Sequence, residues 1–370
     1  MRVLILSSNN GGGHNAVAQA LKQTFEAHGD RCHVEDCLSF ISEDVSDAVA
    51  KSHNFMYRHV PKLFDSGYRH SQKHPKTFME HHNGRRMLNL GRRNLGRTII
   101  SGGYDAVLCT HVFGAIMLTE ARAKYGLRGV TGIVETDYTA TPGTQANNVD
   151  WHFIPSERLR EGLAALGVPR DRIVPSGIPV RDAFYRDIDR AEARRALGMD
   201  ADARHLLVMG GSMGAGPVPE LAAELAATLT RRERVTVVCG TNHGLEAALR
   251  SDYGGDPRFR IMGYVDDVSA LMSASEALIT KPGGITVTEA AVKRLPMVLV
   301  NAVAGCEAYN LDYFVQTGGA ATADSPRALA RLGAELLRDA ARRDAMARAL
   351  EPVARANCRE VIWRTMHGIQ

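Results

Sequence analysis

The 370 residues, 45% of them hydrophobic, are enough for two domains with sizeable cores. A formal net charge of only +4 excludes a nucleic-acid-binding polycation, and no apolar run reaches the ~20 residues that cross a bilayer. The six cysteines, Cys32, Cys37, Cys109, Cys239, Cys306 and Cys358, are scattered and complete no zinc spacing, so they read as reduced thiols.

Strands and helices alternate twice along the chain. The opening Met1–Ser7 is too short for a signal h-region and runs straight into glycines, so it reads as a first strand. In the first half the predicted strands are Val3–Ser7, Cys32–Asp36, Ala106–Thr110, Val130–Val134, Trp151–Ile154 and Arg172–Ser176, and the predicted helices are Asn15–Ala27, Ala115–Lys124 and Glu157–Leu166. In the second half the strands are Leu206–Met209, Arg234–Cys239, Phe259–Met262, Ala277–Thr280, Met297–Val300 and Ala320–Ala323, with helices between them. Such alternation implies parallel sheets covered on both faces. The expected domains are residues 1–180 and 203–350, joined by a linker at 181–202 where Pro179 and a charged run interrupt the pattern. The last segment, 351–370, reads as a helix with no strand after it, free to cross back onto the first domain.

One insertion breaks the alternation. Residues 51–97 carry eleven Lys and Arg against Asp65 and Glu80, a net +9, with Phe55, Tyr57, Phe64, Tyr68 and Phe78 interleaved. This composition suits either a solvated helical face or a patch that sits on anionic lipid with aromatics at the interface. No nucleic-acid motif accompanies the charge.

Several turns carry chemistry. After the first strand comes Gly11-Gly12-Gly13-His14, where Gly11-x-Gly13-x-x-Ala16 mimics a dinucleotide fingerprint and Asp36 stands where a ribose-binding acid belongs. His14 intrudes where a pyrophosphate would approach, and a neutral imidazole at a helix start can accept a proton. Asp137 follows Val130–Val134, at the strand end that faces a ligand crevice, and suits a general base or its partner. Arg181, in Ser176-Gly-Ile-Pro-Val-Arg181, can grip a diphosphate. The turn Met209–Pro217, with Ser212, is a second candidate phosphate wall. The most informative stretch is Lys281–Ala290. Gly283 and Gly284 occupy a strand-to-helix turn whose N–H groups and dipole favour an anion, with Thr286 and Glu289 on one face of the helix; the carboxylate suits ribose hydroxyls. Glu307 and Asn310, three apart, suit sugar hydroxyls. Asp187-Ile-Asp189 has the spacing of metal-dependent sugar transferases but precedes a helix-like run, so it reads as capping, and no catalytic metal is expected.

Taken in order, the loop with His14, Ser-Gly-Ile-Pro-Val-Arg181, Gly263-Tyr-Val-Asp-Asp267, Lys281–Glu289 and Gly305-Cys-Glu-Ala-Tyr-Asn310 resemble the glycolipid synthases that include monogalactosyldiacylglycerol synthase and processive diacylglycerol glucosyltransferase, and more distantly the lipid II N-acetylglucosaminyltransferase. The resemblance implies an α/β GT-B fold, two Rossmann-like doubly wound domains facing across a cleft. It implies a donor site in which Glu289 holds the ribose, Gly284, Ile285 and Thr286 line the diphosphate with Ser212 and Arg181 nearby, the backbone near Val265 reads uracil, and Glu307 and Asn310 face the sugar. His14 and Asp137, with Gly11, Gly12 and Gly13, lie toward the acceptor. The chain departs from the family at Cys306, where members often carry Gln, and a thiol is a poor hydrogen-bonding substitute for an amide.

The expected activity is inverting transfer of a hexose from UDP-glucose or UDP-galactose to diacylglycerol or a glycosyl-diacylglycerol, without a cofactor, by an enzyme held peripherally on anionic lipids at the cytoplasmic membrane face. The competing expectations are N-acetylglucosamine transfer to a polyprenyl-linked acceptor, epimerisation of UDP-N-acetylglucosamine, an NAD-dependent dehydrogenase resting on Asp36, and a non-catalytic lipid-binding protein.

Overall fold

Among the described residues twelve strands form two parallel sheets, the central ones built from buried apolar runs such as Val3–Leu6 and Ala277–Ile279, as fully covered parallel sheets require. The computed structural model describes residues 1–9, 12–60, 66–67, 70, 82–301, 305–354 and 357–369. It divides into two compact units: one comprises Met1–Arg181, Ala304–Cys306 and Ala356–Gln370, the other Asp182–Val303 and Glu307–Arg355.

The first unit contains β1 (Arg2–Ser7), α1 (Gly12–Ala27), β2 (Arg31–Asp36), α2 (Glu43–His59), α3 (His82–Gly102), β3 (Ala106–Cys109), α4 (Val112–Tyr125), β4 (Val130–Val134), β5 (Trp151–Ile154), α5 (Arg160–Ala165) and β6 (Ile173–Pro175). All pairings are parallel, in the order β2-β1-β3-β4-β5-β6. The chain leaves β1 in one direction for β2 and returns on its other side as β3. The topological switch therefore lies between β1 and β3, where doubly wound sheets open a crevice at their C-terminal edge.

The second unit contains α6 (Asp182–Tyr185), α7 (Arg190–Ala196), β7 (Arg204–Met209), α8 (Val218–Thr228), β8 (Glu233–Val238), α9 (His243–Tyr253), β9 (Phe259–Met262), α10 (Ser269–Ala274), β10 (Ala277–Thr280), α11 (Gly284–Val292), β11 (Met297–Leu299), α12 (Glu307–Thr317), β12 (Ala320–Thr322), α13 (Pro326–Arg338) and α14 (Ala340–Ala354). Its parallel order, β12-β11-β10-β7-β8-β9, places the switch between β7 and β10. The two glycine-rich turns at Met209–Pro217 and Lys281–Gly284 thus emerge side by side.

Two segments differ from the expectation or extend it. Residues 182–202, read as a linker, fold into the second unit. The buried Arg194 explains this: its Nη2 bonds Glu276 Oε1 at 2.5 Å and its Nε bonds the carbonyl of Ala274 at 3.0 Å. Asp189 caps α7, accepting from the N–H groups of Ala191 and Glu192. The terminal helix α15 (Cys358–Met366) is part of the first unit. Trp363 Nε1 donates to Asp30 Oδ2 at 2.9 Å, and His28 stacks on the Trp363 ring at 4.0 Å. Gly132 in β4 makes room for it: a Cβ there would lie 3.3 Å from Met366 Sδ. Burial works against ionisation of Asp30, but hydrogen bonds from the N-terminal ammonium and Trp363, with the His367 ring beside it, hold its pKa below the usual value.

Within the basic insertion, α2 and α3 are helical, and Gly11, Phe64, Tyr68 and Phe78 lie outside the described residues. One face of α3 buries Leu88, Leu95 and Ile99 in the core shared with α4. Gly91 permits that approach, since a Cβ would sit 2.8 Å from Met117. The opposite face places Arg86, Leu90, Arg93, Arg97 and Ile100 at helical spacing. All five are exposed, Leu90 at 68% and Ile100 at 61%. Among residues 82–102 there is no Asp or Glu.

Candidate functional site

Each unit gathers candidate residues at its own switch point. In the first, α1 begins at Gly12, earlier than the apolar periodicity predicts, so His14 stands in its first turn. The start of α1 is tied to the end of β1: Ser7 Oγ donates to Asn15 Oδ1 at 2.5 Å, and Asn15 Nδ2 donates to Asn9 Oδ1 at 2.9 Å. His14 Nδ1 lies 2.7 Å from the carbonyl of Thr110, just past β3, and 3.3 Å from Thr136 Oγ1. A carbonyl only accepts, so Nδ1 carries the hydrogen and Nε2 is the basic nitrogen. The ring stands edge-on to His111 at 4.6 Å. Burial pushes the His14 pKa below 6.5, partly offset by the Asp137 carboxylate and the Thr110 carbonyl. The structure therefore brings His14 and Asp137 into one electrostatic cluster, with the imidazole neutral at pH 7.

Sequence reasoning missed two members of this cluster. His111 caps α4, its Nδ1 accepting from the Phe113 N–H at 3.1 Å. Burial, then His14 and His53, hold its pKa well below the usual value. Glu135, directly after β4, is 1% exposed and accepts from Thr141 Oγ1 at 2.6 Å and Thr144 Oγ1 at 2.8 Å. Burial raises its pKa to about 7 against the pull of those hydroxyls. Its signal in the sequence was a carboxylate directly after a buried strand.

Asp36, the residue behind the dinucleotide reading, is committed to structure. It accepts from the Leu38 N–H at 3.0 Å and Asn9 Nδ2 at 2.9 Å, and Ser46 Oγ also donates to it. Those contacts cap the turn after β2 and use the oxygens that a ribose would need.

In the second unit, α11 starts at Gly284 behind Gly283, and no side chain caps it. Helices elsewhere are capped by Ser42, Asn242 and Ser325. The first-turn N–H groups of Gly284, Ile285 and Thr286 have no intrahelical partner, an arrangement that favours an anion. Thr286 is partly exposed, and Glu289 lies 6% exposed on the same helix.

Lys281, named in the motif but given no role, turns out to connect the site. Its stem crosses Gly211, which has φ +70; a Cβ there would sit 2.5 Å from Lys281 Cε. Its Nζ donates to Glu307 Oε1 at 3.0 Å. Gly211, Lys281, Gly283 and Glu307 are therefore neighbours. Asn310 is fully buried and its Nδ2 donates to the Pro282 carbonyl at 2.9 Å, so it braces the turn rather than facing solvent. Ser212 is exposed, and its carbonyl accepts from the Thr241 N–H at 2.9 Å. Val265 follows β9, the edge strand two positions from β7. Arg181 is the last residue of the first unit's main segment. A cavity of about 530 Å³ in the second unit lies at the opposite end of α11, around Lys293 and Arg294, away from these loops.

Comparison with known proteins agrees with both halves. Residues 14–180 match the family model for monogalactosyldiacylglycerol (MGDG) synthase, and residues 205–359 match the glycosyltransferase family 28 C-terminal domain. The first half is thus similar to MGDG synthases and the second to family 28 glycosyltransferases. A processive diacylglycerol beta-glucosyltransferase of Bacillus mycoides is 29% identical over 328 residues, 86% of this chain and 81% of that protein. One of the same name from Staphylococcus saprophyticus is 25% identical, covering 88% and 82%. Among solved structures, MurG of Acinetobacter baumannii superposes with a TM-score of 0.63 at 16% identity, covering 100% of both chains. A UDP-GlcNAc 2-epimerase of Neisseria meningitidis, bound to UDP-GlcNAc, gives 0.66 at 12%, again covering 100% of both. A transferase and an epimerase fit the fold equally well, so the fold does not choose between them. The family matches do.

Proposed function

We propose that this protein is an inverting hexosyltransferase that moves a sugar from a UDP-sugar to the free hydroxyl of diacylglycerol at a membrane surface. The observation that carries the reading is the His14 cluster. A neutral imidazole is oriented by the Thr110 carbonyl and backed by Asp137, within the half of the chain that matches the MGDG synthase model. In this reading Nε2 takes the acceptor proton as the oxygen attacks the anomeric carbon, and Asp137 stabilises the imidazolium that forms. Gly11, Gly12 and Gly13 shape the acceptor side.

The donor belongs to the second unit in this proposal. The diphosphate rests on the N-terminus of α11, at Gly283, Gly284, Ile285 and Thr286, with Ser212, Lys281 and Arg181 adding donors and charge. Glu289 accepts from the ribose, and the backbone at Val265 meets uracil. Glu307 addresses the sugar, with Asn310 holding the Pro282 turn behind it. UDP-glucose is the first donor to test, because the diacylglycerol transferases that this chain resembles are named glucosyltransferases.

The α3 stripe supports a peripheral seat on anionic lipid. Arg86, Arg93 and Arg97 match anionic head groups, and Leu90 and Ile100 reach below them. No helix among the described residues is long and apolar enough to cross a membrane. The test of inversion is the anomeric linkage of the lipid product, read by proton NMR. A β-linked hexose from an α-linked donor supports the mechanism, and an α-linked product excludes it.

A further inference from the structure

We propose that Glu135 is a proton-operated latch, a positioning residue that holds the 136–144 loop, and with it Asp137, against His14. The proposal rests on the functional reading above only in assigning the loop a part in catalysis.

The loop leaves β4 at Glu135 and is fastened back onto that same residue at two points, Thr141 Oγ1 and Thr144 Oγ1. Its first residue, Thr136, reaches His14 Nδ1, and its second is Asp137. The backbone of Glu135 is fixed in turn, its N–H donating to the Phe153 carbonyl on β5 at 2.9 Å. The carboxyl is therefore the point on which the acceptor-side loop closes. Threonine hydroxyls can donate or accept, so both contacts survive protonation, with the carboxyl O–H donating to one of them.

The closed loop keeps this carboxyl out of water, whereas an open loop would hydrate it. Burial raises the closed-state pKa from an ordinary 4.5 to about 7, with Asp137 adding to the rise. The closed state thus binds the proton more tightly than the open one. Closure is fully supported below the open-state pKa and is progressively lost as pH rises through about 7. Of the titratable groups near the loop, Asp137 acts on Glu135 directly; His14, which Thr136 reaches, stands beside His111, on which His53 of α2 also acts, and His152 lies on β5 next to β4. Burial holds His14 and His111 below the usual value and takes His152 to about 4, so these three are neutral where the latch operates.

Glu135→Gln keeps the shape and fixes the neutral state. Hydrogen exchange of the 136–144 amides, corrected for the intrinsic rate, tests the latch in the free full-length protein. Protection in the wild type should fall as pH rises from about 4.5 to about 7 and level off above it, and stay constant in Glu135→Gln. Turnover at saturating donor should decline as pH rises toward about 7, by up to about tenfold per pH unit, and level off above it in the wild type, and the decline should be absent in Glu135→Gln. His53→Asn should leave it unchanged. Thr141→Val with Thr144→Val should lower protection at every pH, and this covers the case in which Glu135→Gln does not fold. Identical pH dependence of protection in wild type and Glu135→Gln would overturn the latch. Protection that follows the latch in a protein forming no glycolipid at any pH would sustain the latch and refute the functional reading instead.

Discussion

The Lys281–Glu307 pair provides a prediction that separates a structural role from a ligand-binding one. Its side chains are 14% and 6% exposed, and its N–O separation is 3.0 Å. Removing one partner of a buried pair strands the other charge, at a typical cost of 3–5 kcal/mol. Lys281 retains some solvent, so Lys281→Met should cost about 2–4 kcal/mol, roughly 5–10 °C in the melting of the second unit. Glu307→Gln in the same chain removes the stranded carboxylate and should return stability to within about 1 kcal/mol of wild type. Affinity for UDP should behave differently. If Lys281 also meets the diphosphate, both the single and the double variant should bind UDP about 10–100-fold more weakly, the worth of a hydrogen bond to a charged group. Scanning calorimetry reads the first quantity, in the transition that UDP raises, and titration calorimetry reads the second. A double variant that regains UDP affinity with its stability would leave Lys281 a purely structural residue. A single variant that melts within about 1 °C of wild type would refute the energetic argument itself.

Three further outcomes follow from the same geometry. His14→Gln should lower turnover about 10²–10⁴-fold while UDP affinity stays within about twofold, since it removes the base and leaves the second unit intact; steady-state kinetics beside calorimetry checks this. Asp30→Asn should loosen α15, read as faster proteolysis after residue 354. In the wild type the depressed Asp30 pKa means that this anchor is present above the ordinary aspartate pKa, near 4, and is lost as pH falls through the lower folded value. Reversing Arg86, Arg93 and Arg97 to Glu should abolish sedimentation with phosphatidylglycerol vesicles at low salt, and wild-type binding should weaken as salt rises. Salt-independent binding would assign the attachment to Leu90 and Ile100 alone.

Much of this was legible in the sequence because it is local. Most of the strands are short apolar runs, and residues such as Leu4 to Leu6 and Ala277 to Ile279 show no exposure at all. The strand-to-helix turn at Gly283 could be read because backbone N–H groups at a helix start need no distant partner. What stayed hidden depends on residues far apart in the chain. Asp36 looked like a ribose acid until Ser46 and Asn9 were seen to occupy it. Asn310 looked accessible at helical spacing from Glu307, whereas packing against Pro282 buries it. The linker reading failed because the charge of Arg194 is neutralised by Glu276, 82 residues later. The latch residue was overlooked since only burial makes Glu135 differ from any turn carboxylate.

The central claim is transfer of a hexose to diacylglycerol. The most direct measurement incubates the purified protein with phosphatidylglycerol vesicles containing diacylglycerol and, separately, UDP-glucose, UDP-galactose and UDP-N-acetylglucosamine, with lipid products identified by mass spectrometry. The account predicts hexosyl-diacylglycerol, with UDP-glucose the favoured donor, and loss of that product in His14→Gln. UDP release without a glycolipid from any donor, or transfer only to a polyprenyl-linked acceptor, would contradict it.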